Sequence, residues 1–404
     1  MPRFNPARAT VMFALLAAAR SAVAQGPCPG DWQPVAQFTA GLVTQYNLPG
    51  CALRITQEGD LLFEQPFGGY TLDQVVPSAS AAKWMSATVV MALVDRGLLA
   101  LDDTTGQWLG WMGEKGIITI RQLFSHTSGI QPEESACLSQ PNTTLEACVA
   151  EIYQLPLIGP PGAQFAYGGN SMQVAGRICE VAAGRPFVEL FDEYVRTPLA
   201  FAQTVYTSNT NPRVAGGMRT ALRDYSRLVE MYLAGGELNH VRVLTPESVA
   251  EALRDQTNGA PYQSLPPCLP TYHGYGIGNW LWPVGGAGPQ GNSSPGAFKL
   301  TPWIDRSRSA SVAFVTTTLN QGLCDALPML QALIEQTLDF HRRGDLNCDQ
   351  RTDFDDISPF VLALGDPAGY AQAYPACFRM NADTNCDGAV NFTDINGFVA
   401  LLSR

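Results

Sequence analysis

Ser80-Ala81-Ala82-Lys83 opens a run, Trp84-Met85-Ser86-Ala87-Thr88-Val89-Val90-Met91-Ala92-Leu93-Val94, that closes at Gly97. The run is rich in helix formers and apolar at helical spacing, and Gly97 supplies a C-terminal stop. Residues three apart on a helix share a face, so the spacing sets the Lys83 amine one turn from the Ser80 hydroxyl. In a first helical turn, unpaired backbone N–H groups favour developing negative charge. A hydroxyl becomes a useful nucleophile only when a neighbouring group takes its proton. A lysine whose pKa is lowered by desolvation is one such group. S-x-x-K alone also describes a plain surface pair, so its meaning rests on the remaining chain.

At 404 residues the chain can bury a sizeable core and form more than one domain. Its net charge of −11 argues against a nucleic-acid partner, which wants a basic face. Arg3 and Arg8 precede a short apolar run, Ala9 to Ala19, and Ala22-Val23-Ala24 forms an A-x-A cleavage site before Gln25. Residues 1–24 therefore read as a signal peptide, implying a secreted, periplasmic or cell-surface protein. That run is too short to span a bilayer, and no later stretch reaches the ~18 apolar residues required. All ten cysteines lie beyond the signal, which suits an oxidising compartment. Cys137 and Cys148 flank one polar loop and are the first pair expected. Cys179 reads as a buried free thiol in a helix.

In chain order, Trp32 to Tyr46 reads as a helix, and Cys51 to Thr56 and Leu61 to Phe67 as strands joined at Glu58-Gly59-Asp60. Helices are expected over Phe187 to Val195, Gly217 to Ala234, Thr245 to Gln256 and Ala326 to Phe340. Further strands are expected around Tyr275 to Trp282, then over Gly296 to Leu300, Trp303 to Asp305 and Ala310 to Thr316. Between these lie Leu123-Phe124-Ser125-His126-Thr127-Ser128-Gly129-Ile130 and the loop Tyr167-Gly168-Gly169-Asn170.

With S-x-x-K upstream, these segments make the chain resemble the serine β-lactamase-like hydrolases: class C β-lactamases, D-alanyl-D-alanine carboxypeptidases and related esterases. The resemblance implies an α+β fold, an antiparallel sheet flanked by helices plus a helical layer, over residues 25–342. It implies that His126 is structural, and a lone histidine is in any case more often a satisfied buried one. The family's Tyr-x-Asn loop matches only if Gly169 stands where the asparagine would be. Tyr167 keeps its place, and Asn170 falls one residue late. A tyrosine there can act as base on the hydroxyl and then as acid for the leaving group.

The resemblance further places Ser293-Ser294-Pro295-Gly296-Ala297-Phe298 on the substrate strand. It implies that the Ala297 and Ser80 N–H groups form the oxyanion hole, with Gly296 needed for close backbone approach. Ser294 replaces the cation that normally precedes the glycine. On a strand, Lys299 would point to the opposite face from Gly296. Recognition of a substrate carboxylate is thereby put in doubt, favouring esters or small amides. No G-x-S-x-G occurs, which removes the Ser-His-Asp elbow.

The acid is concentrated at the C-terminus: residues 344–404 hold nine Asp, no Glu and three Arg. Asp345-Leu346-Asn347-Cys348-Asp349-Gln350-Arg351-Thr352-Asp353-Phe354-Asp355-Asp356-Ile357 recurs 38 residues later as Asp383-Thr384-Asn385-Cys386-Asp387-Gly388-Ala389-Val390-Asn391-Phe392-Thr393-Asp394-Ile395, and ten of twenty positions match. Oxygen side chains at loop positions 1, 3, 5, 9 and 12 suit Ca²⁺, with the Arg351 and Ala389 carbonyls at position 7. The ligands are then Asp345, Asn347, Asp349, Arg351, Asp353 and Asp356, and Asp383, Asn385, Asp387, Ala389, Asn391 and Asp394. An Ile-x-x-Phe-Val helix follows each loop. The pair resembles a dockerin, which implies a cohesin-like module or cell-surface scaffold as partner. Gln350 departs from the glycine expected at the first loop's turn. Residues 343–404 are thus read as a small α-helical two-loop calcium module.

The expectation is an exported serine hydrolase acting on a small-molecule, peptide or ester substrate through an acyl-enzyme on Ser80. Lys83 and Tyr167 move its proton, Ser294, Gly296 and Ala297 form the substrate strand, and no cofactor takes part in catalysis. The alternative is a catalytically inactive binding or scaffold component that keeps the fold.

Overall fold

The computed structural model describes residues 32–132, 135–140, 142–266, 274–284, 290–340, 342–349 and 351–403. The expected signal peptide, residues 1–24, and Gln350 lie outside the described residues. The centre is an antiparallel six-stranded sheet of β1 (Gly50–Gln57), β2 (Asp60–Gly68), β3 (Trp280–Trp282), β4 (Gly291–Ser293), β5 (Thr301–Asp305) and β6 (Ala310–Thr316). Its spatial order is β3-β4-β5-β6-β1-β2. β1 pairs with both hairpin partner and chain end: Cys51 faces Phe67 on one side and Thr316 on the other.

Period-two alternation divides the sheet's side chains between two cores. Leu53, Ile55, Val312 and Phe314 point into one, closed by helices Gln33–Gln45 and Leu323–Phe340 through Val35, Leu42, Leu330 and Ile334. Ala52, Ala313 and Val315 point into the other, where Trp84, Tyr225, Leu228 and Val229 cover them. Trp84 belongs to helix Ala82–Asp95, which is buried at every residue from Ala82 to Leu93. A helix enclosed on all sides must satisfy its own polar groups. Ser86 and Thr88 donate to the carbonyls of Ala82 and Trp84 one turn back, and their hydroxyls also meet those of Tyr206 and Tyr232.

Four expected elements differ. Gly217 onward is not yet helix: Met218–Thr220 pairs with Val76–Pro77 and Val205–Tyr206 in a small sheet, and the helix begins at Leu222. Ser78 N–H donating to Met218 O at 2.9 Å shows why, since a tertiary partner overrides local propensity. The helix after Phe187 runs only to Phe191 before widening into a π-type turn, Asp192–Arg196. Of Tyr275 to Trp282, only Trp280–Trp282 is strand. Gly278, at φ 77°, turns the preceding chain, and a Cβ there would lie 2.6 Å from both Ala87 Cβ and Lys83 O. Residues 294–300 form a turn between β4 and β5 rather than a strand.

The last 60 residues build a separate small core from Leu346, Phe360, Ala363, Tyr370, Ala382 and Phe398. Phe360 and Phe398, equivalent positions of the repeat, stack with centroids 3.9 Å apart and planes 3° from parallel. This core does not hang free. Arg343 forms an ion pair with Asp60 at the β1–β2 hairpin, and Thr352 donates to the Arg343 carbonyl at 2.9 Å. A cavity of about 670 Å³ lies along the join, lined by Glu58, Glu230, Asn239, Arg342, Thr352 and Leu401. The expected Cys137–Cys148 disulfide is present, a second joins Cys348 to Cys377, and Cys179 is a buried free thiol. No helix among the described residues is long and apolar enough to cross a membrane.

Candidate active site

Ser80 sits in a 3₁₀ turn, Ala79–Ala81, immediately before helix Ala82–Asp95, rather than within that helix's first turn. Ala79 is held at φ 44°, a left-handed conformation that disfavours an L-residue by about 1–2 kcal/mol. The turn presents the Ser80 hydroxyl to Lys83, whose Nζ donates to Ser80 Oγ at 3.1 Å and to the Ala215 carbonyl at 2.9 Å. Lys83 is 2% exposed, and oxygen partners such as these make its burial tolerable. The segment leading to Ala215 is tied down by Gln173. Its amide donates to Asn211 Oδ1 and Pro212 O and accepts from Val214 N–H at 3.0 Å.

Tyr167 arrives from a distant loop and lies with its ring beneath the Lys83 ammonium, 4.7 Å from Nζ to the centroid. Trp280 stacks on it at 5.3 Å and 27°, and His126 packs against it at 4.5 Å. Its backbone N–H donates to Ser264 O, next to the parallel pairing of Phe165–Ala166 with Tyr262–Ser264. Gly168 is required, because a Cβ there would collide with the Pro132 carbonyl. Asn170 is fully buried and does not line the Ser80 cavity. It accepts from Ser135 N–H at 3.0 Å and donates to Gln131 O at 3.2 Å, tying down the neighbouring loop.

His126 is buried as expected, but not satisfied as expected. Neither ring nitrogen has a hydrogen-bond partner among the described residues, and Phe165, Tyr167 and Tyr275 surround the ring. Burial, reinforced by the Lys83 charge, pushes its pKa well below the ordinary histidine value, so the imidazole stays neutral. Burial likewise pushes the phenols of Tyr225 and Tyr275 well above the usual range. Tyr225 donates to Ala81 O at 2.7 Å, bracing the turn that carries the serine.

The 294–300 turn closes the site. Ser294 Oγ donates to the Ser80 carbonyl at 3.1 Å, and a Cβ on Gly296 would press into the Ser78 carbonyl. Glycine is therefore demanded by contact with the serine turn itself. Ala297 and Lys299 line the same cavity as Ser80 and Tyr167, a space of about 260 Å³ walled by Trp280, Trp282 and Trp303. Lys299 corrects the strand-parity expectation. Residues 294–300 form a turn with Lys299 at φ 70°, so strand alternation does not apply there; Lys299 lies on the wall of the cavity that Ser80 also lines, towards the helix Leu323–Phe340. Burial lowers its pKa from the ordinary lysine value, and Nζ lies 3.6 Å from Cys324 Sγ.

The tail loops repeat each other nearly bond for bond. Asp356 accepts from the N–H groups of Leu346, Asn347 and Asp353, and Asp394 accepts from those of Asn385 and Asn391. Asn347 and Asn385 each accept from the N–H two residues on at 2.9 Å, and Cys348 and Cys386 share φ 61°. No three acidic side chains among the described residues are already drawn together as a metal cluster. The donor set is all oxygen, which is the chemistry a hard cation of Ca²⁺ size takes, so the residues fit that group.

A beta-lactamase family profile matches residues 35–333, most of the chain. The chain belongs to the beta-lactamase family. Penicillin-binding protein 4 of Amycolatopsis lactamdurans is 30% identical over 209 residues, 49% of this chain and 53% of that protein. Esterase EstB of Burkholderia gladioli is 26% identical over 42% of this chain and 50% of its own. The chain thus spans about half the length of these curated relatives. A solved structure from Bacteroides dorei DSM 17855, described in provisional terms as a beta-lactamase, is 33% identical with a TM-score of 0.65, covering 71% of this chain and 91% of that one. The family's α+β fold, antiparallel sheet with flanking helices, is the fold seen here, and its members among these relatives are serine hydrolases. Sequence reasoning missed the Ala215 carbonyl, the Trp280 stack and the placement of Lys299. The first two carry no residue-type signal, and the third was hidden by the assumption of a strand.

Proposed function

We propose that the protein is an exported serine hydrolase that cleaves an ester or small amide through an acyl-enzyme on Ser80. The observation that carries this reading is the Lys83 amine, 3.1 Å from Ser80 Oγ and over the Tyr167 ring in one cavity. Ser80 Oγ attacks the substrate carbonyl, and its proton passes to the Lys83–Tyr167 pair. The carbonyl oxygen, now an oxyanion, is held by the Ser80 and Ala297 N–H groups. Such donors are typically worth about 3–4 kcal/mol each. The tetrahedral intermediate collapses, the C–O or C–N bond breaks, and the leaving group takes the proton back from the pair. Water then repeats the sequence on the acyl-enzyme, releasing the acid and restoring Ser80.

His126 takes no part, being neutral and enclosed by rings. The tail serves as a dockerin-like module in which Ca²⁺, held by the carboxylates and carbonyls of the two loops, supplies structural stability, and which docks on a cohesin-like or cell-surface partner. A fluorophosphonate probe tests the enzyme reading: a single mass adduct on Ser80, absent in Ser80→Ala, is expected. A folded protein that takes no adduct at millimolar probe overturns it in favour of a binding role.

A further inference from the structure

The two ends of the Ser80 cavity belong to different cores. Tyr167 packs with Trp280 in the first, whereas Trp282 and Trp303 belong to the second and Leu327 packs against it. All five line one cavity of about 260 Å³, with Ser80 on the same lining. The ends have different work. A leaving group must take its proton from the Lys83–Tyr167 pair, so it departs at the Tyr167 end. The end bordered by Trp282, Trp303 and Leu327 is left to the acyl part of the substrate.

That end is built beyond what an acetyl group needs. Two indoles border it, and aromatic faces gain most from a second flat ring. Trp282 is held in place: its Nε1 donates to Gln331 Oε1 at 2.7 Å, and Gln331 donates onward to Pro283 O and Glu335 Oε1. Pro328 stands inside helix Leu323–Phe340, past the point where Ala326 N–H already donates to Gly322 O. A proline there has no N–H for the carbonyl one turn back and is the costliest residue a helix can hold. Its ring lines the cavity, and local rules are broken in this way chiefly at functional sites. Leu319 lines the cavity as well while 65% exposed, which marks an apolar mouth.

We propose that this end of the cleft is an aryl subsite, selecting esters or amides whose acyl chain ends in an aromatic ring. The proposal rests on Ser80 being the nucleophile and names the substrate class of that site. A cavity of about 150 Å³ suffices for benzene. The space here therefore holds a phenyl group beside the reacting carbonyl. A linear chain fills apolar space too, but it forgoes the ring-on-ring geometry.

The test uses the 4-nitrophenyl esters of acetic, hexanoic and hydrocinnamic acid, each kcat/KM being divided by that ester's spontaneous hydrolysis rate. The wild type is expected to favour hydrocinnamate at least about tenfold over acetate and about threefold over hexanoate. Leu327→Gln, at a partly buried position, lowers the hydrocinnamate-to-acetate ratio at least about threefold. Trp303→Phe, which keeps a ring, retains the preference that Trp303→Leu loses. Pro328→Ala lowers the ratio yet raises the melting temperature, because it returns a donor to the helix. A wild type indifferent among the three esters, or a ratio that neither Leu327→Gln nor Pro328→Ala moves, overturns the proposal. An adduct on Ser80 then leaves the nucleophile reading standing. If no ester is hydrolysed and Ser80 takes no adduct, both readings fall together.

Discussion

The Ser80 cleft and the C-terminal loops are built on opposite plans. In the cleft, the participating groups come from the serine turn at 79–83, Tyr167, the Ala215 carbonyl and the 294–299 turn, each placed by a different element. In the tail, each set of oxygens lies within one loop, and the second loop repeats the hydrogen bonds of the first. A convergent site depends on the whole fold and tolerates little error at any contributing residue. A local loop depends on its own twelve residues and a packed helix. Damage should accordingly read out as lost chemistry in the first region and lost stability in the second.

The sharpest break is at the serine. Ser80→Ala should lower kcat/KM on a nitrophenyl ester by 10³-fold or more while the melting temperature stays nearly unchanged. Tyr167→Phe keeps the ring between Trp280 and His126 and removes only the hydroxyl. A fall of about 10²–10⁴-fold in kcat is expected, read by steady-state kinetics, with the near-ultraviolet circular dichroism preserved.

Asn170→Ala crosses the comparison from the other side. It removes the side-chain partner of the part-buried Gln131 carbonyl and Ser135 N–H and should cost about 1–3 kcal/mol by denaturant titration, with a milder effect on turnover. In the tail, a chelator should lower the thermal stability of the full chain and added Ca²⁺ should restore it, while the initial rate on the ester holds below the transition. Chelation that inhibits turnover in proportion, well below the melting range, would dissolve the distinction between the regions. The smallest expected effect is at their join: Arg343→Ala should cost about 0.2–1 kcal/mol, since the pair with Asp60 is partly exposed.

The same contrast decides what could be read from sequence. The two tail loops are legible because a 38-residue repeat keeps an oxygen-bearing side chain at the same five loop positions. β1, β2 and β6 are legible because their apolar residues alternate or run uninterrupted between turn residues, and the Ser80–Lys83 pair because three residues make nearly one turn. The Met218–Thr220 strand was hidden, since only Val76–Pro77 makes it a strand. Lys299 could not be placed by alternation, because residues 294–300 form a turn rather than a strand. The Ala215 carbonyl has no side-chain signature at all, and Gln173, which bonds the preceding Asn211, Pro212 and Val214, looks like any helix residue.

Arg343, bonded within the tail by Thr352, pairs with Asp60 of the β1–β2 hairpin, so the C-terminal loops rest against the sheet rather than trail from it. On the tail's surface, Phe354, Ile357 and Val361, and their repeat equivalents Phe392, Ile395 and Val399, remain exposed. A body gripped by that face is mounted like a lamp on a bracket rather than a buoy on a chain. Its heading would then be set along with its address.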